Sequence, residues 1–384
     1  MSHRAGQFVT QPGAEPYRAF FPAKLPPHPP LNVDTAMQDA IERATLAVGR
    51  LDGLAQLLPD PQLFLYMYIR KEAVLSSQIE GTQSSLSDLL AFENEAVPGV
   101  PISDVQEVSS YVRAMTCGLE LLKTLPLCTR LLCEVHRALV AGTRGGDKAP
   151  GEVRRTQNWI GGSRPGNARY VPPPPHAVGD ALSNLDRFLN DETCRTPPVL
   201  KAGIAHAQFE TIHPFLDGNG RVGRLLITLV LVAEQVLAQP LLYVSLHFKA
   251  HRQEYYDRLQ RLRTHGDWEG WMHFYLDGVA SVSVQATKTA RTVAQLFERD
   301  RERVLSTSGK GSASALKLYE LVKRYAVISI PSAAKQLQLA HPTVADAVKR
   351  LMGLGILTEA TGKLRDRQFL YKPYVAALTE DTKD

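Results

Sequence analysis

His213 and Asp217 stand four residues apart, followed by Gly218-Asn219-Gly220 and by two arginines three apart, Arg221 and Arg224. A histidine takes a proton near neutral pH and suits a general base. An aspartate is a hard oxygen ligand of the kind that holds Mg²⁺ jointly with substrate phosphates. Glycines on either side of a small polar residue let successive backbone N–H groups point one way and form an anion nest. A helix beginning there adds the favourable end of its dipole. Arg221 and Arg224 share a face of the first helical turns, and guanidinium groups match phosphate geometry. Base, metal ligand, nest and arginine pair together describe phosphoryl or nucleotidyl transfer.

Such a site needs a rigid element behind it, and an apolar helical pattern follows at once, so residues 217–238 read as a central buried helix. Residues 197–211 read as a helix leading into His213; His206, mid-helix among apolar residues, reads as a satisfied core histidine. Upstream, Asp34 is a cap for a helix running to about Leu58. Pro59 and Pro61 break that helix, and residues 62–75 make a strongly apolar one. Ser76-Ser77-Gln78-Ile79-Glu80-Gly81 then reads as a helix end with Gly81 as its stop and with Ser76 and Glu80 on one face. Helix patterns follow at about 84–94, 104–124 and 129–141, the last with Thr129 as cap, then at 176–190 and about 249–264, and a long one opens at Gly266-Asp267-Trp268 and runs to about 304. The β-like run from Gly151 to Ser163 ends on Gly161 and Gly162, and Tyr170-Val171 resumes extension, which predicts a short hairpin.

The 384 residues suggest two or three domains, and 44% hydrophobic with 22% charged residues is ordinary for a globular protein with a sizeable core. A net charge of +5 is too weak by itself to indicate nucleic-acid binding. Cys117, Cys128, Cys133 and Cys194 form no Cys-x-x-Cys pair, so reduced thiols in a cytoplasmic protein are expected. The N-terminus has no apolar signal-like run, and the longest apolar stretch, Leu225 to Ala233, is too short to span a bilayer, so no membrane is expected as a partner.

His213-Pro214-Phe215-Leu216-Asp217-Gly218-Asn219-Gly220-Arg221-Val222-Gly223-Arg224 resembles the Fic-domain motif His-Pro-Phe-x-Asp/Glu-Gly-Asn-Gly-Arg-x-x-Arg at every fixed position. The resemblance covers about residues 35–300. It implies a mostly α fold, a Fic-type helical core with a small β-hairpin flap. The implied activity is transfer of AMP from ATP to a hydroxyl of a protein target, which includes the protein itself. His213 would be the base and Asp217 the Mg²⁺ ligand. Gly218, Asn219, Gly220, Arg221 and Arg224 would hold the phosphates. Ile160, Gly161, Gly162 and Ser163 resemble the flap that pairs with the target backbone and closes over the nucleotide. Tyr255, Tyr256 and Arg263 resemble the positions that border the adenine; tyrosines at helical spacing also fit a core. Ser76, Glu80 and Gly81 resemble the inhibitory Ser/Thr-x-x-x-Glu-Gly/Asn motif, with Arg224 as the expected partner of Glu80. Phosphate transfer of the Doc type goes with a departure from the arginine pair; this chain keeps both, which favours an α-phosphate pose. Removal of AMP from a modified target by the same site stays open.

The domain reading is residues 1–34 as a proline-rich extended arm, 35–125 as an N-terminal helical region with the inhibitory helix, 126–304 as the Fic core, 305–313 as a Ser/Gly linker and 314–384 as a separate small domain. In the last, helices at 314–325, from Ser332 as cap to Leu339, and from His341 to about Gly353 precede a hairpin of a strand begun by Gly355-Ile356-Leu357 and a strand from Arg365 to Tyr371. This resembles a winged helix. Lys349 and Arg350 on the second helix, with Lys363, Arg365 and Arg367 on the wing, are its candidates for DNA. These basic residues are few, so DNA binding, homodimerisation and protein contact stay open, as does a transcription regulator whose core only senses nucleotide.

Overall fold

The computed structural model describes residues 2–12, 15–57, 61–93, 100–143, 145–191, 193, 196–306, 311–362 and 367–380. Near the N-terminus β1 (Ser2–His3), β2 (Gly6–Gln11) and β3 (Tyr17–Pro22) make an antiparallel sheet of that order. Helices α1 (Thr35–Leu57), α2 (Pro61–Ile79), α3 (Leu86–Glu93), α4 (Ile102–Leu121), α5 (Thr129–Val140), α6 (Pro175–Asn190), α7 (Pro198–Ile212), α8 (Asn219–Ala233), α9 (Ser245–Ala250), α10 (Arg252–His265) and α11 (Trp268–Ser306) follow. The C-terminal unit runs α12 (Ser312–Tyr325), β4 (Val327–Ser329), α13 (Ile330–Leu337), α14 (His341–Gly353), β5 (Thr358–Glu359), β6 (Gln368–Leu370) and α15 (Lys372–Thr379), with an antiparallel sheet of order β4-β6-β5. The chain is mostly helical, as its sequence predicts.

The centre is the pair α7 and α8. Every residue from Val199 to Ile212 and from Arg221 to Leu231 is buried, and a helix apolar on all sides is stable only when neighbours cover all sides. The 39-residue α11 closes one flank, where the Trp271 indole N–H donates to the Gly203 carbonyl at 3.0 Å. A Cβ at Gly203 would lie 2.6 Å from the Tyr275 ring, so glycine sets the closeness of α7 and α11. Asp34 caps α1 as expected, its carboxylate accepting the Met37 N–H at 2.9 Å.

Several expectations need correction. The arm is not merely extended: its first 22 residues include the three-stranded sheet, whose buried Phe20 packs on Phe8 and Tyr170 and donates its N–H to the Val171 carbonyl at 2.9 Å. The central helix ends at Ala233, not 238. Gln235 takes the left-handed conformation (φ 57°), Val236 N–H donates to Leu231 O at 2.9 Å and Gln235 N–H to Val232 O at 3.0 Å. That is a glycine-type helix stop made without glycine. The helix expected at 249–264 is two, α9 and α10, broken at His251. Thr129 does not cap α5; it is the first helical residue, and its N–H and hydroxyl both donate to Asp186 of α6, at 2.7 and 2.9 Å. Ser329, not Ser332, caps α13 by accepting the Ser332 N–H. The strand expected from Gly355 is confined to Thr358–Glu359, the second to Gln368–Leu370, and α15 was not anticipated. Cys194, the linker centre 307–310 and the wing residues Lys363 and Arg365 lie outside the described residues.

The C-terminal unit packs against the end of α11 and against α2. The Tyr319 phenol donates to the Phe297 carbonyl at 2.6 Å and the Tyr371 phenol to the fully buried Asp300 carboxylate at 2.8 Å, while Arg303 donates to the Leu354 carbonyl. Phe297 packs edge-on to Tyr374, and Tyr66 of α2 on Tyr325. A chain ending at Ser306 would re-expose Phe297, Val304 and Asp300, at about 1.5–3 kcal/mol for each large apolar side chain. Its melting temperature is expected to fall below that of the full chain; equal melting temperatures would show that the shared core contributes nothing.

Candidate functional site

α7 ends on His213, whose left-handed backbone (φ 50°, ψ 60°) turns the chain into the loop 214–218. That loop is held from behind. The Arg154 guanidinium donates to the carbonyls of His213 at 2.9 Å and Pro173 at 2.6 Å, and Arg154 N–H to Pro214 O at 2.9 Å. Asn158 donates to Phe215 O at 2.9 Å. Asn219 grips Phe215 twice, accepting its N–H and donating to its carbonyl, both at 2.8 Å. Phe215 stacks on His136 with centroids 3.8 Å apart. Because Gly151 N–H donates to His136 Nδ1, the Nε2–H is the donor to Asp217 O at 3.1 Å. Burial lowers the His136 pKa to about 4, so this neutral tautomer persists.

Gly218, left-handed at φ 75°, is the N-cap of α8. The first backbone bond there is Val222 N–H to Gly218 O, so the N–H groups of Asn219, Gly220 and Arg221 precede the helical ladder and face outward. They border a cavity of about 290 Å³ lined by Glu80, Glu107, His213 and residues 216–221. Arg221 is buried there, with Nε and Nη1 lacking a hydrogen-bond partner among the described residues; Asp217 at 3.5 Å and Glu107 at 3.6 Å are its nearest carboxylates. The His213 imidazole is also shielded. Burial, then the charges of Arg263 and Arg154, pulls its pKa down to about 3, so it is neutral at physiological pH, and its Nδ1 has no hydrogen-bond partner among the described residues, with Glu210 3.8 Å away. Asp217 is half exposed at the rim, and its carboxylate accepts the Gly218 N–H at 2.5 Å.

Glu80 occupies the place where an anion would sit. It lies just beyond the C-terminus of α2, where its own helix disfavours negative charge, and faces the N-terminus of α8, which favours it. Its Oε1 accepts from Arg224 Nη2 at 2.7 Å; the same guanidinium donates to Ser76 Oγ at 2.8 Å and Ser76 O at 3.0 Å. A Cβ on Gly220 would fall 2.3 Å from Glu80 Oε1, so the motif's second glycine is what lets this carboxylate reach the helix end. Arg224 is 1% exposed and Glu80 38%. Burial works to raise the Glu80 pKa, but the charge and hydrogen bond of Arg224, with Arg221 and Arg252, outweigh it and hold the carboxyl below its ordinary value. Gly81, left-handed at φ 104°, ends the helical turn that carries Glu80.

The expected flap hairpin reduces to one bridge, Ile160 with Tyr170. Gly161 and Gly162 turn the chain at once in left-handed conformation, and Asn167 Oδ1 accepts the N–H groups of Ser163 and Arg164 at 3.0 Å each. Of the adenine-border positions, Tyr255 and Arg263 face the core. Tyr255 is buried against Phe248 with its phenol 3.0 Å from His206 Nε2, and Arg263 donates to the Glu210 carbonyl at 2.9 Å and lies over the Tyr170 ring. Only Tyr256 of the three is partly exposed. The Asn219 side chain ties the loop through both backbone groups of Phe215. His206 is a satisfied core histidine, its Nδ1 2.7 Å from Gly223 O. Arg154, Asn158, His136, Glu107 and Glu210 were not singled out from the sequence; Arg154 and Asn158 do fall in the β-like run before the flap, where two such polar residues mark a segment with buried partners.

Residues 38–120 match the Fic/DOC family N-terminal region and residues 126–231 the Fic/DOC family domain. Among curated relatives, protein adenylyltransferase fic-1 of Caenorhabditis elegans is 32% identical over 175 residues, 44% of this chain and 32% of the relative. Protein adenylyltransferase Fic of Culex quinquefasciatus is 33% identical over 147 residues, 38% of this chain and 26% of the relative. The chain thus spans about a third of the length of the curated relatives it matches. A solved Fic family protein from Desulfovibrio desulfuricans G20 shares the fold at 20% identity and a TM-score of 0.60, covering 89% of this chain and 97% of that one.

Proposed function

The chain carries the two domains of the Fic/DOC family, and from that premise we propose that it transfers AMP from ATP to a hydroxyl side chain of a protein target and is held off by its own Glu80. The observation that carries this reading is a neutral, shielded imidazole meeting, around one cavity, the first N–H groups of α8 and an arginine whose Nε and Nη1 have no hydrogen-bond partner among the described residues. The N–H groups of Asn219, Gly220 and Arg221 hold phosphate oxygens, and Arg221 and Arg224 neutralise them. His213 takes the proton of the incoming hydroxyl as its oxygen bonds to the α-phosphorus. The bond from that phosphorus to the bridging oxygen breaks, and pyrophosphate leaves. The triphosphate brings negative charge beside His213 and raises its basicity from the low value set by burial and two arginines. Little covalent work falls to the protein; positioning and charge compensation carry the rate.

Mg²⁺ fits this site only jointly with the nucleotide. Among the described residues no group of three His, Cys, Asp or Glu side chains can hold a metal, whereas one exposed carboxylate beside a phosphate nest is what Mg²⁺ shares with a triphosphate. Asp217 would supply that oxygen, and the ion would neutralise phosphate charge.

The test is incubation with α-labelled ATP and cell lysate, with mass spectrometry to find AMP on a hydroxyl side chain. In the Glu80→Gly background Asp217→Ala should lose the Mg²⁺-supported labelling; Glu80→Gly labelling undiminished in EDTA would remove the metal. For the C-terminal unit, the helix-turn-helix of α13 and α14 with the β5–β6 hairpin supports a winged helix. Among the described candidates Lys349 is exposed on α14, 3.8 Å from Asp346, and Arg367 lies over Phe369, a modest basic surface that fits protein contact, a second copy included, as well as DNA. The free thiols Cys117, Cys128 and Cys133 support a reducing, cytoplasmic setting.

A further inference from the structure

Arg221 lies between two carboxylates that come from different elements. Asp217, four positions earlier in the chain, is 3.5 Å from its Nη2, and Glu107 of α4 is 3.6 Å from its Nη1. Both separations are longer than a charge-assisted hydrogen bond, about 2.7–2.9 Å, so the guanidinium is shared and closes on neither acid. The sharing is uneven. The Glu107 and Arg221 side chains are 7% and 6% exposed, that of Asp217 42%. Solvent weakens the attraction between charges, so at nearly equal distance the buried carboxylate pulls harder. Asp217 Oδ1 is meanwhile taken by the Gly218 N–H at 2.5 Å.

All three side chains border the same cavity. At a triphosphate site their tasks differ: the arginine meets phosphate, and the carboxylate at the rim meets a hard cation. A guanidinium closed on Asp217 would cover the oxygens a cation needs and spend its own N–H groups. Glu107 opposes that closure from the other side. Its charge also makes the cavity less hospitable to a bare triphosphate than to one that carries Mg²⁺. Glu107 belongs to the N-terminal Fic/DOC region, residues 38–120, and its two counterparts to the Fic domain, residues 126–231, so the twelve-residue motif does not contain it.

We propose that Glu107 is a positioning residue for the metal–nucleotide site: it holds Arg221 off Asp217, so that the Asp217 carboxylate stays available to Mg²⁺ when the nucleotide arrives. The N-terminal region thereby contributes to nucleotide loading as well as to inhibition through Glu80. The proposal rests on the reading of Asp217 as the Mg²⁺ ligand.

The test measures the ATP Kd by equilibrium binding across a Mg²⁺ series, with EDTA as its zero point, in full-length Glu80→Gly protein. Adding Glu107→Gln, nearly equal in size, is expected to raise the Mg²⁺ concentration at half-maximal effect about tenfold, the scale of one hydrogen bond to a charged group. The Kd in EDTA should stay equal or fall. A merely structural role would weaken ATP in EDTA as well, and that result would overturn the proposal. In a Glu80→Gly, Asp217→Asn background Glu107→Gln should shift the Mg²⁺ dependence no further, because its effect passes through Asp217; an equal shift there would also overturn it. Glu107→Asp keeps the charge but draws it back by one methylene, and should fall between. It decides the matter if Glu107→Gln does not fold, a midpoint at the Glu80→Gly value then counting against the proposal. A Glu80→Gly Kd indifferent to Mg²⁺ would end the metal reading and this proposal with it. A Mg²⁺-dependent Kd whose midpoint Glu107→Gln leaves unmoved would end this proposal alone.

Discussion

Replacing Glu80 with glycine is expected to raise auto-AMPylation more than about tenfold, which corresponds to more than about 1.4 kcal/mol. Two demands on one arginine set this expectation. The Arg224 guanidinium gives its Nη2 to Glu80 at 2.7 Å, and the carboxylate lies where the α8 N-terminus would hold a phosphate, 2.3 Å from the place of a Gly220 side chain. ATP must therefore displace a charge-assisted bond or settle with its α-phosphate out of line for attack. The carboxylate also repels the triphosphate directly. Glu80 is 38% exposed, so solvent screens the pair, and its net value is smaller than that of a fully buried one. Arg224 keeps both bonds to Ser76 when Glu80 is gone, so the variant should fold. ATP affinity should change less than the transfer rate. Glu80→Gln keeps the size and removes the charge, and should fall between. Arg224→Ala should not imitate Glu80→Gly, because it removes the phosphate contact with the inhibitory one. Labelling by Glu80→Gly equal to or below wild type would end the inhibitory reading.

The second large effect is at His213. In the Glu80→Gly background, His213→Ala should lower transfer by about 10²–10⁴, the usual worth of a general base, while ATP binding stays within a few-fold. The imidazole Nδ1 holds no hydrogen bond to any described residue, so removing it breaks little structure. The backbone is the concern: φ is 50° here, and a left-handed residue other than glycine costs about 1–2 kcal/mol. Asparagine tolerates that conformation better, so His213→Asn separates a folding fault from loss of the base. Transfer at the undiminished rate by either variant would mean another group takes the proton.

The catalytic loop was legible because its chemistry is compressed into twelve consecutive residues, and its helix because α8 is apolar on every side. The residues that hold the loop were not. Arg154, Asn158 and His136 act on backbone groups about 55 to 80 positions away along the chain, and no local pattern encodes such pairings. The end of α8 was misplaced because Gln235 takes a conformation that glycine normally announces. In the N-terminal segment the prolines at 26–30 outweighed a short alternation around Phe8 and Phe20, and a sheet went unread. The Ser/Gly stretch before α12 read as a linker, yet the aromatic residues on both sides of it close one core.

The central claim is that this cavity moves AMP and that Glu80 restrains it. The most direct test offers Glu80→Gly protein ATP labelled at the α-phosphate in one reaction and at the γ-phosphate in another, with wild type beside it. The account predicts protein-bound label from the α-labelled nucleotide only, strong in the variant and faint in wild type. Label from the γ-phosphate, or none from either in a folded variant that binds ATP, would contradict it.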